Sequence, residues 1–529
     1  MRHLSIDIET KSSVDIGKAG LYRYAQSNDF EILLFAYRYG NEEVQIIDLA
    51  QGETIPETIA EDLKNPRIVK HAYNAAFEWY CLNRAGYKTP LAQWRCTMIH
   101  GLYCGYTAGL DATGKAIGLP QDKRKLATGK ALIRYFCVPC KPTKSNGNRS
   151  WNLPKHAPEK WELFKEYCRQ DVVTESAILA RLDAFPVPDE EEKLWQMDIR
   201  MNAFGVRVDS ELIRGALQVN EQSTILLEAE AKEITGLDNP NSSTQLLDWI
   251  HKHGVEMDNL QKATVTEKLA DNLPDNVRRA LEIRQQLGKT SIKKYVAMDV
   301  AKGNDDRVRG LTQYYGANRT GRWAGRLVQM QNLPRNYIKS LDYARKLVKA
   351  QNYDGIKLLY GNVPDTLSQL IRTAFIPSEG NKFVVADFSA IEARVIAWLA
   401  GETWVNEVFA THGKIYEATA SQMFHVPIEK IAKGNPEYAL RQKGKVATLA
   451  LGYQGGSNAL IAMGALNMGL SEEELPDIVQ RWRSANPRIR DLWYEVEEAA
   501  LAAMQTAQPQ AIYNLIFNLE SDIVYGQNF

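Results

Sequence analysis

Residues 441–456 read RQKGKVATLALGYQGG, with two cations, an apolar residue and an aromatic residue spaced four positions apart. These residues are Arg441, Lys445, Leu449 and Tyr453. In an α-helix that spacing places all four along one face, which would be roughly 18 Å long. Arginine and lysine both suit phosphate oxygens. The stretch therefore predicts a helix that binds a nucleotide from its triphosphate to its base, with an ordinary solvated surface helix as the alternative.

An apolar run that ends in a carboxylate precedes this helix. Residues 382–387 (KFVVAD) predict a buried strand, and residues 388–400 (FSAIEARVIAWLA) predict a helix. Ile391, Val395 and Trp398 fall on one stripe of that helix. An aspartate between a strand and a helix is well placed to bind a divalent cation. Asp387 is therefore a candidate metal ligand.

Residues 307–349 are strongly basic, although the 64 basic and 64 acidic residues of the whole chain cancel. The bases are Arg307, Arg309, Arg319, Arg322, Arg326, Arg335, Lys339, Arg345, Lys346 and Lys349, against the single acid Asp342. The aromatic residues among them are Tyr314, Tyr315, Trp323, Tyr337 and Tyr343. Cations and aromatics together predict a nucleic-acid track. A protein-binding or solvated basic face is the alternative.

Composition limits the class of protein. A chain of 529 residues should hold several domains. The start MRHLSIDIET is too polar for a signal peptide, and no stretch of about 20 apolar residues predicts a membrane span. Six unevenly spaced cysteines suggest a reducing compartment, and the lone pair Cys137 and Cys140 does not predict a zinc site. We therefore expect a cytoplasmic protein without a membrane partner.

The first third of the chain predicts an α/β domain with paired carboxylates. Residues 3–9 alternate as a strand that carries Asp7 and Glu9, and Glu31–Tyr39 and 44–49 predict two more strands. The strand period places the two carboxylates on the same side. Such a pair repels unless a cation or a proton lies between them.

Two later segments add further acids. Glu78 opens a helical stretch, and Tyr167 and Asp171 lie one turn apart in a long predicted helix. A hydrolytic two-metal site needs several carboxylates, and a tyrosine hydroxyl can position the attacking water. Scattered surface acids are the alternative. The basic loop around residues 137–149 either approaches single-stranded DNA or is a solvated excursion.

These three segments resemble the exonuclease motifs of the DEDDy group of 3′–5′ proofreading nucleases. The matching elements are DIET at 7–10, N-x-x-F-E at 74–78 and Y-x-x-x-D at 167–171. The resemblance implies an RNase H-like exonuclease domain with Asp7, Glu9 and Asp171 as metal ligands. It also implies catalytic roles for Glu78 and Tyr167. Glu78 stands where the group usually has aspartate, which moves the carboxylate by one methylene.

The second half of the chain resembles family A DNA polymerases. DFSAIEAR at 387–394 is similar to polymerase motif A, which implies that Asp387 ligates the catalytic metals, Glu392 blocks a ribose 2′-hydroxyl and Arg394 supports the site. The stretch 441–453 is similar to motif B. That resemblance implies a triphosphate grip by Arg441 and Lys445 and a template-base position for Tyr453. Leu449 replaces the usual phenylalanine or tyrosine.

Shorter elements of the same family fall in the basic segment and before it. TGR at 320–322 and QNLP at 331–334 resemble family elements, and NSSTQL at 241–246 resembles a thumb element. The resemblance implies that Arg322 contacts the primer–template duplex. The expected DNA-binding residues are Thr320, Gly321, Arg322, Arg326, Gln331 and Asn332.

The domain organisation follows from these motifs and from one linker. The stiff and then acidic stretch 186–192 predicts a boundary. We expect an exonuclease domain at 1–186, a helical thumb at 187–305, the first part of a palm at 306–400 and fingers at 401–529. The third polymerase motif, His-Asp-Glu, is not found: the last histidine is His425, and Asp522 lacks both a histidine and a strand-turn-strand context. The palm is therefore expected to be truncated.

The expected function is that of a DNA-directed DNA polymerase of a compact phage type with a proofreading 3′–5′ exonuclease, in a bacterium or a phage-infected host. The expected cofactors are Mg²⁺ or Mn²⁺, two ions per active site. The expected partners are primer–template DNA, a single-stranded DNA 3′ end, dNTPs and a separate C-terminal polymerase fragment, without which synthesis is not expected. Two alternatives remain: an exonuclease with a DNA-binding polymerase remnant that does not synthesise, and a non-catalytic DNA-binding scaffold.

Overall fold

The computed structural model describes residues 2–468, 470–513, 515–520 and 523–528. The chain forms two compact units, Met1–Phe383 (unit 1) and Val384–Phe529 (unit 2). The division falls inside the range 306–400, and the expected four-part division of the chain stays a prediction. In the part of the chain that the structure describes, no helix is long and apolar enough to cross a bilayer.

Unit 1 begins with a mixed sheet of strand order β3-β2-β1-β4-β5. Its strands are β1 Arg2–Lys11, β2 Glu31–Tyr39, β3 Gln45–Asp48, β4 Ile68–Ala72 and β5 Trp94–Cys96. β1 pairs antiparallel with β2 and parallel with β4, so it lies at the centre of the sheet. Leu4, Ile6 and Ile8 of β1 are buried in a hydrophobic core. The three predicted strands are confirmed.

Helices cover this sheet. They are α1 Ile16–Ala25, α2 Glu57–Lys64, α3 Ala76–Arg84, α4 Thr97–Tyr103, α5 Leu110–Ala116, α6 Gly129–Phe136 and α7 Pro158–Leu182. α7 packs against β1 and β2 and begins with a proline at its first turn, where the missing N–H costs nothing. Trp161, Phe164 and Tyr167 of α7 belong to a second core cluster with residues of β2. The predicted α/β architecture is confirmed for this part of the chain.

The rest of unit 1 is mainly helical, which confirms the predicted helical character of residues 187–305. Its helices are α8 Asp189–Phe204, α9 Ser210–Thr235, α10 Ser243–Lys252, α11 Lys262–Lys268, α12 Asp275–Leu287, α13 Lys293–Ala301, α14 Leu341–Lys349, α15 Tyr353–Tyr360 and α16 Val363–Leu370. Its strands are β6 Val206–Arg207, β7 Arg307–Val308, β8 Thr312–Ala317 and β9 Arg322–Gly325. A separate hydrophobic core joins α9, α13, α14 and α16.

Unit 2 has its own hydrophobic core. Its helices are α17 Ile391–Ala400, α18 Thr403–Thr411, α19 Ile415–Phe424, α20 Leu440–Leu451, α21 Ser457–Ala462, α22 Leu475–Ala485 and α23 Pro487–Thr506. Its strands are β10 Gln510–Ile512, β11 Leu515–Glu520 and β12 Ile523–Asn528. α19 and α20 cross closely at Gly444, where a Cβ would lie 2.2 Å from the carbonyl oxygen of Tyr416.

The expectation that the sequence around Asp522 lacks a strand context is wrong. β11 and β12 pair antiparallel with each other on either side of it in the sequence. The tail alternates apolar and polar residues only weakly, which hid its strand character. Asp522 itself lies outside the described residues.

Candidate active sites

Three sequence segments bring carboxyl groups to one region of unit 1. β1 carries Asp7 and Glu9, whose two-residue spacing places them on the same face. Asp171 lies on the part of α7 that packs on β1, and Glu78 lies in the first turn of α3. The side chains of Glu9, Glu78 and Asp171 are buried, and Cys168 Sγ donates to Asp7 Oδ2 at 3.4 Å. We call these groups the carboxylate cluster.

The charges of the cluster oppose one another. Burial raises the pKa of Asp7 well above its usual range, and the nearby charge of Asp171 raises it further. Burial likewise raises the pKa of Glu9, and Asp7 and Asp171 add to that effect. The pKa of Glu78 is raised by burial and then by Asp7. Desolvated like charges ionise together only when a cation compensates them, so the cluster is built to receive positive charge.

Glu175 is a further carboxyl group that the sequence analysis missed. It lies one turn after Asp171 on α7, and it is 2% exposed. Thr97 Oγ1 and Ser176 Oγ donate to its two oxygens. Burial raises the pKa of Glu175, and its charge raises the pKa of Asp7. The four-residue spacing from Tyr167 through Asp171 to Glu175 was the signal that could have found it.

Tyr167 lies beside Asp171 with its ring packed on a glycine. A Cβ at Gly129 would fall 2.1 Å from Cε2 of this ring, so only glycine fits there. Burial and the charge of Asp171 raise the pKa of Tyr167. Its hydroxyl therefore stays neutral beside Asp171.

Lys125 is the second residue that the sequence analysis missed. Its Nζ lies 2.5 Å from Asp171 Oδ2 and 4.7 Å from the ring centroid of Tyr167. It comes from the loop between α5 and α6, and no local spacing connects it to Asp171. The only sequence signal is its place in residues 123–158, a segment with nine lysine or arginine residues and no aspartate or glutamate.

This acid-free segment borders the end of β1. Lys11, two residues beyond Glu9, holds its Nζ 5.4 Å from the ring centroid of Trp151. Residues 140–150 of this segment form a loop that is closed by a hydrogen bond from the N–H of Cys140 to the carbonyl of Ser150, at 2.8 Å. Apart from Lys125, none of its nine lysine and arginine side chains has an ion-pair partner among the residues that the structure describes. The segment is thus a basic surface near the cluster.

The cluster fits divalent cations by its chemistry. Asp171 Oδ1 and Glu78 Oε2 are buried and have no hydrogen-bond partner. Unpartnered carboxylate oxygens among like charges are the ligands that Mg²⁺ and Mn²⁺ prefer. In the described ranges, no three His, Cys, Asp or Glu side chains lie close enough together to hold a metal ion. Two members have other partners, since Cys168 Sγ donates to Asp7 and Lys125 Nζ donates to Asp171.

A cavity of about 240 Å³ opens in unit 2, and we call it the unit 2 cavity. Glu392 from the first turn of α17 and Leu449 from α20 line it, together with Tyr453. Ile415 and Trp482 form part of its apolar wall. Three residues predicted to bind a nucleotide therefore meet at one cavity. Its volume and mixed lining suit part of a small organic ligand.

The cations of α20 extend from this cavity. Arg441 Nε donates to Glu417 Oε1 at 2.7 Å, and this bond raises the pKa of Arg441. The guanidinium lies 5.3 Å from the ring centroid of Tyr416. Lys445 lies one turn further along and is half-buried, and no described residue forms an ion pair with it. Glu417 is a partner that the sequence analysis did not find.

The prediction that Tyr453 continues the helical face of Arg441, Lys445 and Leu449 is wrong. α20 ends at Leu451, so Tyr453 lies beyond the helix. Gly452, Gly455 and Gly456 follow, and glycine weakens a helix. Tyr453 is 58% exposed and reaches the unit 2 cavity from a turn.

The predicted buried strand at 382–387 is also wrong. These residues form no strand, and Val384 and Val385 are 85% and 90% exposed. A strand needs a hydrogen-bonded neighbour, and no described strand pairs with this run. Asp387 is exposed as a result. The helix that follows is confirmed from Ile391, although its apolar stripe is exposed and Trp398 is 63% accessible.

Arg394 lies in α17 and contacts residues before and after that helix. Arg394 Nε donates to the carbonyl of Ser389 at 2.9 Å, and its guanidinium lies 4.1 Å from the ring centroid of Phe409. Arg394 therefore fixes the start of α17 against α18, which positions Glu392 at the unit 2 cavity.

The predicted DNA-binding residues lie on and after a hairpin of unit 1. β8 and β9 pair around a turn that holds Thr320 and Gly321, and Arg322 opens β9 with an exposed side chain. Arg326 Nε donates to Gln313 Oε1 at 2.7 Å. Gln331 packs on Gly325, where a Cβ would lie 2.1 Å from its Oε1, and Asn332 is exposed beside it.

The basic segment 307–349 is only partly a surface track. Arg345 and Lys349 each lie 2.7 Å from the buried Asp209, so these two cations are structural. Arg309 forms an ion pair with Asp305 at 2.6 Å. Tyr314 is 2% exposed and belongs to the hydrophobic core. The prediction that all ten cations and five aromatics form one track is therefore wrong for these residues.

Comparison with known proteins agrees with the motifs. Residues 212–512, more than half of the chain, match the family model of DNA polymerase family A. A DNA polymerase of Bacillus phage SP02 is 56% identical over all 529 residues, which correspond to 81% of its own length. The thermostable DNA polymerase I of Thermus aquaticus is 32% identical over 136 residues, 25% of this chain and 15% of that protein.

A solved structure has the same fold. The POL domain of Pol1 from M. smegmatis, determined in complex with DNA primer-template and dNTP, superposes with a TM-score of 0.58 and 17% identity. The match covers 96% of this chain and 76% of that chain. The family match and the phage relative, which aligns with all 529 residues, show that the chain belongs to DNA polymerase family A.

Proposed function

We propose that the chain binds primer–template DNA and dNTPs with the nucleotide and DNA sites of a DNA-directed DNA polymerase, and that unit 1 carries a 3′–5′ proofreading exonuclease of RNase H-like fold. The observation that carries the first part is the unit 2 cavity, where Glu392, Leu449 and Tyr453 meet beside the cations of α20. The thumb, palm and fingers assignments belong to the same proposal.

In this proposal each residue of unit 2 has a distinct task. Lys445 and Arg441 bind the triphosphate, and Glu417 fixes the guanidinium so that its remaining N–H groups face the phosphates. Glu392 leaves no room for a ribose 2′-hydroxyl. Leu449 offers an aliphatic wall to the sugar in place of an aromatic ring. Tyr453 stacks near the template base.

The DNA grip in this proposal lies on the β8–β9 hairpin. Arg322 contacts the duplex near the primer end, and Arg326, Thr320 and Gly321 approach its phosphates. Gln331 and Asn332 add hydrogen-bond donors and acceptors beside the hairpin. Because these contacts are mainly with phosphates, duplex affinity should fall steeply with salt.

The exonuclease is a second function, favoured by the burial of the carboxylate cluster. Solvated surface acids would not be buried together against one another's charge. Asp7, Glu9 and Asp171 would hold two Mg²⁺ or Mn²⁺ ions, with Glu78 beside them. The ions supply Lewis-acid activation of water and of the phosphate when bound. Tyr167 orients the attacking water, and the acid-free segment 123–158 receives the phosphates of a single-stranded 3′ end.

Synthesis by these 529 residues is a separate question. A two-metal polymerase site needs more than one metal-binding carboxylate, and motif A assigns that role to Asp387 alone, since it gives Glu392 a different one. The exposed run 382–388 favours the alternative of an exonuclease with a DNA-binding polymerase half that does not extend primers. The separate C-terminal fragment and the cytoplasmic location stay predictions. A non-catalytic scaffold would have no reason to bury Asp7, Glu9 and Asp171 together.

Formation of a ternary complex tests the polymerase half. The 529-residue chain and a primer–template with a dideoxy-terminated primer are titrated with each of the four dNTPs, in Ca²⁺ to prevent digestion. We expect the dNTP complementary to the template base to tighten DNA binding, whereas the three others leave it unchanged. Equal behaviour of all four dNTPs would refute template-directed nucleotide binding.

A further inference from the structure

Lys125 occupies a place in the carboxylate cluster that no motif assigns to it. Its Nζ bonds to Asp171 Oδ2 at 2.5 Å, and its side chain is partly exposed although the side chain of Asp171 is buried. Burial raises the pKa of Asp7, Glu9 and Asp171, and the charge of Lys125 lowers each of them. Lys125 is therefore the internal counter-ion of the cluster.

The position of Lys125 is built into the fold. Gln170, the residue before Asp171, donates its Nε2 hydrogens to the carbonyls of Asp122 and Arg124 at 2.8 and 3.1 Å. Arg124 Nε in turn donates to the carbonyl of Leu119 at 2.7 Å. The loop is thus fastened to α7 on the residue next to Asp171. A chance approach of a surface lysine would lack these bonds.

The ammonium of Lys125 does not satisfy all the carboxylate oxygens of the cluster. Asp171 Oδ1 and Glu78 Oε2 stay buried without a partner, while Asp171 Oδ2 is bound by Lys125. A divalent ion on Asp171 and the ammonium of Lys125 would draw on the same negative charge and repel each other. Their mutual repulsion weakens the contact that each makes with Asp171 and favours release of the ammonium.

We propose that Lys125 is a positioning residue of the exonuclease site that holds Asp171 until a divalent cation displaces its ammonium. The inference rests on the proposed exonuclease function. Lys125 keeps the buried carboxylates compensated without metal, and it lowers their affinity for metal by competing for Asp171. The exonuclease therefore becomes active only when the divalent cation concentration is high enough to displace the lysine.

Mn²⁺ binding to the full 529-residue chain, followed by electron paramagnetic resonance, tests the exchange. The variants are Lys125→Met, Lys125→Arg and Asp171→Asn, with Lys88→Met as a control, an exposed lysine of the same unit outside the acid-free segment. We expect Lys125→Met to bind the Asp171-dependent Mn²⁺ about fivefold or more tightly. Lys125→Arg and Lys88→Met should match the unsubstituted chain.

If Lys125 had only a structural role, Lys125→Met would bind Mn²⁺ more weakly than the unsubstituted chain, because its site would collapse. Melting in EDTA gives an independent readout. We expect a lower Tm for Lys125→Met than for the unsubstituted chain, with the difference closed by Mn²⁺. Should Lys125→Met fail to fold in EDTA and also with Mn²⁺, Lys125→Gln takes its place in the same titration.

The outcomes separate the exchange from the function on which it rests. If Asp171→Asn binds as many Mn²⁺ ions as the unsubstituted chain, the proposed metal site is wrong and the exchange falls with it. If Asp171→Asn loses Mn²⁺ but Lys125→Met binds it with unchanged or weaker affinity, the exonuclease proposal stands and the exchange is overturned.

Discussion

The carboxylate cluster of unit 1 and the unit 2 cavity are opposite kinds of site. The cluster buries carboxyl groups, with Glu78 4% and Asp171 5% exposed, on a complete sheet. The cavity has an apolar wall, and the carboxylate expected next to it in the motif, Asp387, is exposed on a run without a strand. A site enclosed by its own unit can be assembled before its ligands arrive. In unit 2 the predicted metal ligand Asp387 is not enclosed, whereas residues predicted to bind the nucleotide already line a cavity.

The largest expected effect is the loss of exonuclease activity when a carboxylate of the cluster is removed. Asp7→Asn should lower Mg²⁺-dependent shortening of single-stranded DNA by about a thousandfold or more, because it removes a charge that would hold the metals. The rate of 3′-end digestion of a 5′-labelled strand measures this. Glu43→Gln, an exposed acid of the same domain, is the matched control and should digest normally. Unchanged digestion by Asp7→Asn would refute the assignment of the cluster.

The second effect concerns the cations of α20. Lys445→Met should weaken binding of the complementary dNTP by about 10- to 100-fold, the loss expected for a hydrogen bond to a charged group. Titration of the ternary complex measures it. Lys433→Met, an exposed lysine of the same unit, should bind as the unsubstituted chain does. Equal affinities in both variants would mean that α20 is a solvated surface helix.

Two glycines, one beside the carboxylate cluster and one at the end of α20, compare how tightly the two regions are packed. Gly129→Ala places a Cβ 2.1 Å from the Tyr167 ring, and it should lower the free energy of unfolding by about 1–3 kcal/mol, as overpacking does. Gly452→Ala, at the end of α20, meets no atom within 4 Å and should be nearly neutral. Denaturant unfolding of both variants measures the difference. A neutral Gly129→Ala would show that Tyr167 moves freely.

The smallest effect is a gain of stability at the cluster. The folded-state pKa of Asp7 is raised, so its ionisation costs stability as pH rises above the unfolded-state value. Below that value both states are protonated and the cost vanishes. Asp7→Asn should therefore have a higher Tm than the unsubstituted chain in EDTA at pH 8, with a smaller difference at pH 5. Calorimetry in EDTA measures it, and a lower Tm at pH 8 would contradict the account.

Local periodicity predicted much of unit 1. The two-residue spacing of Asp7 and Glu9 and the four-residue spacing of Tyr167 and Asp171 placed these side chains correctly on β1 and α7. Lys125 could not be predicted, because its contact with Asp171 spans 46 positions and depends on Gln170 fastening a loop. The catalytic roles of the four residues on β1 and α7 stay predictions.

The errors in unit 2 and in the basic segment have a different physical origin. An apolar run such as 382–387 indicates a strand only if a neighbour completes its ladder, which the run itself cannot reveal. Arg345 and Lys349 looked like DNA contacts because the sequence does not show that Asp209 lies 2.7 Å from each. Tyr314 looked like a stacking platform for the same reason, since burial depends on distant partners.

One reaction tests the central claim most directly: the 529-residue chain is incubated with a 5′-labelled primer–template, all four dNTPs and Mg²⁺. The account predicts that the primer is shortened from its 3′ end and never extended, and that Asp7→Asn leaves it at its original length. Primers lengthened by templated incorporation would contradict the claim that unit 2 binds nucleotides without completing a polymerase site. An unshortened primer with the unsubstituted chain would contradict the claim that unit 1 encloses a working exonuclease.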